Sequence, residues 1–344
     1  MSLLPTVKNE DELEAVLSEP YEEDIEAVKK LGGDLLILGA GGKMGPTLVQ
    51  RAVLAFRRAG VPWKVYAASR FSDPVARMKL EQLGARTLSV DLMDESLQDP
   101  LPDCPNVLYM VGFKFGSADN PEKAWAVNSY LPGRVAERFR NSRIVSFSTG
   151  NVYPLVDKAS GGATEATRPD PVGEYAQSCL GKERVLEYFC ETNSTPVCLL
   201  RLNYAVEARY GVLLELAQKV HARNPISVTT GYVNVIWQGD ANSVALRAFD
   251  SCDVPAEVLN LTGQETLSVR TIVTELGKRF RITPVFEGEE QPTALLSNAT
   301  RCSELFGPPK VELSEMLDLM VHWIRIKGPT LGKPTKFEVR DGSF

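Results

Sequence analysis

Short, uninterrupted apolar runs alternate with amphipathic stretches along most of this chain. The first run, at 34–38, ends in a cluster of glycines, as a parallel strand buried on both faces does. Helical periodicity follows over 46–59, with Leu48, Val49, Ala52, Val53 and Phe56 on one side. A second strand at 63–68 leads into Ser69-Arg70, then a helix at 74–83 and a third strand at 86–90 closed by Asp91. The alternation continues with strands at 106–111, 143–148 and 197–202 and helices at 121–140 and 172–192. Strand and helix in turn imply an α/β fold, a Rossmann-type doubly wound parallel sheet.

After Asn203 the pattern loosens. A helix at 211–222 precedes short strand-like pieces at 226–229 and 232–236, and 258–262 reads as one more strand of the main sheet. The expected organisation is an N-terminal helical extension (1–32) and a dinucleotide-binding domain (33–203 and 232–263), followed by a smaller C-terminal α/β substrate domain (204–231 and 264–327) and a surface tail (328–344).

Composition narrows the classes of function. A net charge of −6 with no basic run argues against nucleic acid or an anionic membrane surface as partner. No apolar stretch approaches the ~20 residues needed to span a bilayer, and the acidic N-terminus lacks a signal-peptide layout. Cys104, Cys179, Cys190, Cys198, Cys252 and Cys302 show no zinc-like spacing, and His221 and His322 are the only histidines. A metal site is not expected, and free thiols in a reducing cytoplasm are.

The chemistry begins at Gly39-Ala-Gly-Gly42-Lys43-Met44-Gly45, between the first strand and the first periodic helix. Glycines there let the backbone approach a pyrophosphate, and the helix N-terminus offers unpaired N–H groups to it. At the end of the second strand an acidic residue would bind a ribose 2′-hydroxyl. Ser69 and Arg70 stand there instead and suit a 2′-phosphate, favouring NADP over NAD. Asp91 is a candidate adenine-side contact.

Further motifs follow in order: Asn128 in Trp-Ala-Val-Asn-Ser-Tyr-Leu-Pro-Gly, Ser148-Thr149-Gly-Asn-Val-Tyr153, Thr164-Glu165 with Pro169 and Pro171, Tyr175-Ala-Gln-Ser178, Arg201-Leu-Asn203 and Asp240-Ala241. With the glycine loop they make residues 33–327 resemble the extended short-chain dehydrogenase/reductases, the NAD(P)-dependent epimerase/dehydratase family. The resemblance implies that Thr149 supplies a hydroxyl and Tyr175 the acid/base, and that Asn128 supports the cofactor side. It also implies a homodimer built on helices 121–140 and 172–192, with Leu180, Val185, Leu186 and Phe189 suited to that contact or to the sheet. Asn203, Tyr204, Trp237 and Asp240 are candidates to shape a substrate pocket between domains.

One family residue is missing. The lysine expected four positions after the tyrosine is Cys179. That lysine lowers the tyrosine pKa and holds the nicotinamide ribose, and a thiol does neither. Lys182 lies seven residues on from Tyr175, about 10 Å up the helix axis and too far to substitute directly. Lys114 could approach the nicotinamide from the other side, against the simpler reading of a solvated loop charge. Gly150-Asn151 replaces the Asp-Glu of family dehydratases, which disfavours water loss and leaves oxidoreduction or epimerisation. The resulting expectation is an NAD(P)-dependent oxidoreductase or epimerase acting on a hydroxyl of a sugar-like substrate. The alternative is a catalytically impaired dinucleotide-binding sensor of the same fold. A hydrolase using Ser148 or Ser178 with a histidine has no Gly-x-Ser-x-Gly elbow to support it.

Overall fold

In a computed structural model, which describes residues 4–94 and 101–343, the apolar runs become seven parallel strands of one sheet. They are β1 (Leu35–Leu38), β2 (Val65–Ser69), β3 (Arg86–Ser89), β4 (Asn106–Tyr109), β5 (Arg143–Thr149), β6 (Val197–Leu202) and β7 (Glu257–Leu261). Their spatial order is β3-β2-β1-β4-β5-β6-β7. The order reverses between β1 and β4, and in sheets of this kind ligands bind outside the C-terminal strand ends at that switch.

Twelve α-helices accompany the sheet among the described residues: α1 (Glu10–Ser18), α2 (Glu22–Lys30), α3 (Gly45–Ala59), α4 (Pro74–Leu83), α5 (Pro121–Trp125), α6 (Leu131–Arg138), α7 (Gly173–Asn193), α8 (Val212–His221), α9 (Gln238–Arg247), α10 (Val269–Phe280), α11 (Thr300–Phe306) and α12 (Leu313–Arg325). Strand side chains alternate between two faces. Leu35, Ile37, Leu108, Val145 and Leu200 pack with Leu48, Ala52 and Phe56 of α3 and Ala245 of α9. On the other face Leu36, Leu38, Val107 and Ile144 meet Val135 and Phe139, next to Leu186 and Cys190 of α7.

Helix α5 runs into α6 through a π-turn, Ala126–Tyr130. Pro132, in the first turn of α6, has no N–H to return to the carbonyl of Asn128, and the helix widens there.

Beyond β6 the expectations need revision. The strand expected at 232–236 is two pieces in different sheets. Tyr232–Val233 pairs antiparallel with Leu267–Ser268, and Ile236–Trp237 pairs parallel with Ala205–Val206. Helix α9 carries no helical period because residues 238–246 are buried all round. Helices α8, α10 and α12 share one apolar core, and Leu13 and Leu17 of α1 are buried in it.

The N-terminal segment is therefore part of the body. Helix α2 seals against α3 through Arg51 and Asp24, both fully buried, with Nη1–Oδ2 2.5 Å, and Ser243 of α9 donates to the same carboxylate. The tail is tied down as well. Phe337 is buried in the second core, and Arg340 donates to the Thr293 carbonyl at 2.7 Å. Thr335 donates through both its backbone N–H and its hydroxyl to Glu215 of α8.

Candidate active site

A cleft of about 650 Å³ opens over the β1/β4 switch, lined by the glycine loop, Ser69, Arg70, Asp91, Met110, Phe113 and the π-turn residue Val127. The glycine requirements are specific. Gly39 has φ +91°, and a Cβ there would sit 3.0 Å from the Val111 nitrogen. A Cβ on Gly45 would come within 2.3 Å of the Ala40 carbonyl oxygen, so only glycine lets α3 start this close to the loop. No side chain caps the start of α3; its Gly45 N–H is returned to the Gly42 carbonyl at 3.1 Å and Pro46 has none, so the helix offers the glycine loop its positive dipole end. At the far end Arg70 is largely exposed and its Nη1 lies 3.9 Å from Asp91 Oδ2.

Asn128 does not reach the cleft wall with its amide. Its Oδ1 accepts from the Phe113 N–H at 2.8 Å, and its Nδ2 donates to the Phe113 carbonyl at 2.9 Å and to Ser178 Oγ at 3.0 Å. It pins the loop after β4 to α7, and acts on the cleft by positioning.

Lys43 and Met44, next along the loop from Gly42, line a second cavity of about 140 Å³, whose wall also includes Lys114, Thr149, Asn151, Tyr175, Asn203, Tyr204, Tyr210 and Thr335. Thr149 closes β5, and Tyr175 stands in the first turn of α7. Thr149 and Cys179 both hydrogen-bond to Tyr175. Asn151 donates to Thr149 Oγ1 from its backbone at 3.2 Å and from Nδ2 at 2.9 Å. Burial, and then the Cys179 thiol beside it, holds the Tyr175 phenol well above its ordinary range. Cys179 is 2% exposed, and burial pushes its thiol up too, which makes it a packed rather than a nucleophilic group.

The two lysines considered in place of the missing one differ in position. Lys182 is buried, and its Nζ donates to the carbonyls of Val111 at 3.1 Å and Phe147 at 3.2 Å. It ties β4 to β5 and does not line the cavity. Lys114 faces inward rather than solvent. Its Nζ lies 5.6 Å from the Tyr175 ring centroid and donates to the Thr335 carbonyl at 3.4 Å. Burial pushes it down to about 8. Lys43, read from sequence as a cofactor contact, turns its side chain into the same cavity. There Nζ donates to the Ala205 carbonyl at 3.2 Å and sits 3.8 Å from the Tyr210 ring centroid.

Other sequence candidates lie elsewhere or act as scaffold. Asp240 is held by the Tyr21 hydroxyl at 2.7 Å and by the N–H groups of Lys310 and Val311 at 3.1 Å, outside the Tyr175 cavity. Trp237 is buried in the second core. Arg201 forms a buried ion pair with Glu183, Nη2–Oε2 2.6 Å, and reaches the Tyr153 hydroxyl at 2.7 Å. Ser148 also donates to Glu183. His322 meets the Val7 carbonyl at 2.7 Å and His221 lies against Phe280, so neither histidine faces a serine of the site. Tyr204 lines the cavity with a left-handed backbone, φ +44°, a strained conformation for an aromatic residue.

Sequence reasoning missed Tyr210 and Thr335. Tyr210 sits in a tight turn whose two backbone hydrogen bonds link it to Glu207 at 2.9 and 3.1 Å, and Thr335 arrives from the tail. Neither belongs to a local motif.

Comparison with known proteins agrees with this fold. A family model described as the NAD dependent epimerase/dehydratase family matches residues 35–237. UDP-glucuronic acid 4-epimerase from Bacillus cereus, solved with UDP-glucuronic acid and NAD, superposes with a TM-score of 0.71 at 18% identity, covering 85% of this chain and 99% of that one. UDP-glucose 4-epimerase from Thermotoga maritima, solved with UDP-glucose, gives 0.68 at 17% identity over 86% and 99%. The Thermus thermophilus UDP-glucose 4-epimerase complex with NAD gives 0.67 at 18% identity over 85% and 99%. No curated protein sequence matches significantly.

Proposed function

The chain belongs to the NAD dependent epimerase/dehydratase family, and we propose that it is an NAD(P)-dependent oxidoreductase or epimerase acting on a hydroxyl of a sugar-like substrate. The observation that carries this reading is the meeting of Thr149 and Tyr175 in one cavity with Lys43 and Met44 of the glycine loop. A dinucleotide laid along the loop would bring its nicotinamide to that meeting point. Tyr175 would exchange a proton with the substrate hydroxyl, and Thr149, oriented by Asn151, would share the developing charge. Gly150 and Asn151 bring no carboxylate to protonate a leaving water, which favours hydride chemistry over dehydration.

The cofactor proposed is NADP in preference to NAD, on the strength of Ser69 and Arg70 at the adenosine end of the cleft. The assembly proposed is a homodimer. Of the residues expected at that contact, Leu186 is buried against the sheet, and Val185 and Phe189 pack toward Gly133. Trp125, Tyr130 and Tyr188 are the exposed aromatics of the same helices.

A second reading, a cofactor-binding protein without turnover, is favoured by Cys179 and by the upward push on Tyr175. The test mixes purified protein with NADP or NADPH and a panel of sugars and aldoses, and follows the nicotinamide absorbance in single turnover. The expected result is turnover that falls about 10²–10⁴-fold in Tyr175→Phe. Tight cofactor binding with no turnover, and no gain from Cys179→Lys, would establish the second reading instead.

A further inference from the structure

We propose that the Tyr175 cavity selects a small substrate carrying an anionic group, a carboxylate or phosphate, held between Lys43 and Lys114. The inference rests on the proposed function and names the substrate class of that site.

The two ammonium groups reach the cavity from unrelated parts of the chain, Lys43 from the glycine loop and Lys114 from the loop after β4. The described residues that line it include no aspartate or glutamate. Lys43 meets a carbonyl and an aromatic face there, with Glu207 acting on its charge only through space and not as an ion-pair partner. The carboxylates behind the wall are engaged elsewhere. Glu207 takes the Arg209 Nε at 3.2 Å, and Glu215 accepts from Thr335. Burial pushes Lys43 down to about 7 and Lys114 down to about 8, the expected response of ammonium groups withdrawn from water. An anion seated between them would favour their charged forms, and charge-assisted hydrogen bonds make that preference strong.

Size points the same way. At about 140 Å³ the cavity lies below the ~300–1,000 Å³ usual for sites that enclose drug-sized ligands. Thr335, fixed to Glu215 on α8, forms part of the wall on the side of the second domain. The space beside Tyr175 therefore suits a compact acid with a hydroxyl rather than a nucleotide. With the anionic end on the lysines, a hydroxyl of the same molecule meets Thr149 and Tyr175.

The test loads the full chain with NADP and titrates it by calorimetry with glucose, glucuronate, gluconate and glucose 6-phosphate. At least one acid should bind about tenfold or more tightly than glucose, the gain expected of hydrogen bonds to a charged group. Carboxylate and phosphate arms separate the two sources of charge. Lys43→Met and Lys114→Met should each remove most of the preference, and Lys43→Arg and Lys114→Arg should keep it, while melting temperature and NADP affinity stay close to wild type. Equal binding of glucose and every acid overturns the proposal. So does loss of NADP affinity in the Met variants with the preference intact, which would assign the lysines to cofactor phosphates. The binding readout needs no turnover, so failure of the catalytic reading is seen separately, as acid preference without hydride transfer.

Discussion

Arg70 illustrates how much a single residue at a strand end decides. It lines the outer end of the cleft, where the adenosine is proposed to lie, with Asp91 Oδ2 3.9 Å from its Nη1 as its ionic neighbour. At that separation and exposure the pair contributes little to stability, so removing it tests binding cleanly. Arg70→Ala should raise the Kd for NADP about tenfold or more and change that for NAD by less than about twofold, measured by nicotinamide fluorescence. An equal loss for both cofactors would remove the case for a 2′-phosphate site.

The lysines of the inner cavity make a prediction of definite sign. Lys43 faces Glu207, Lys114, Arg209 and Lys333, and burial sets it at about 7. Lys114 faces Cys179, Glu215 and Lys336 and is set at about 8. Both are cations below these values and neutral above them, so acid binding should be strongest below pH 7 and fall as pH rises through 7 to 8. Flat affinity across that window would mean that neither ammonium contacts the ligand. Sequence reached the glycine loop through its place between a buried strand and an amphipathic helix, and Thr149 and Tyr175 through motifs that resemble the family's. It could not aim the Lys43 side chain, since that direction depends on Tyr210 and Ala205, more than 160 positions away.

At the scale of elements, the strands of the main sheet were legible because buried parallel strands read as continuous apolar runs. Helix α9 was not, because burial on every side erases the period that betrays a surface helix. The N-terminal helices show a different limit. Read as an extension ahead of the first strand, they carry a buried acid, Asp24, paired with Arg51 and accepting from Ser243. Asp24→Ala leaves a buried guanidinium without its partner and should cost ~3–5 kcal/mol, read from the urea midpoint. Asp11→Ala, which breaks the exposed contact with Lys79 at 2.8 Å, should leave the midpoint unchanged. If the two variants behave alike, the extension is not part of the cooperative body.

For the whole molecule, the homodimer proposed above would form on the surface of α5, the π-turn and α7. Trp125 lies over Gly181, whose Cβ position is 3.3 Å from the indole, and its Nε1 donates to Glu174 at 2.7 Å. Tyr188 stands seven residues beyond Gly181 on α7, so it shares the outer face with a drift of only about 20° per heptad. Tyr130 and Tyr188 remain 61% and 63% exposed, unusual for large aromatics that no core needs. Leu186, on the opposite side of α7, is committed to the sheet, so the two faces of the helix have separate duties. Two copies meeting about a twofold axis would place these aromatics against their equivalents, and a stable dimer would bury roughly 1,200–2,000 Å². Light scattering should therefore give twice the 37.8 kDa chain mass at micromolar concentration. Tyr188→Glu, with its like charges set face to face across the axis, should shift the protein to monomer without lowering its melting temperature. A wild-type monomer, or a Tyr188→Glu dimer of undiminished strength, would place the contact on another surface. Because Trp125, Tyr130 and Tyr188 line neither the cleft nor the Tyr175 cavity, the monomeric variant should still bind NADP and the small acids as wild type does.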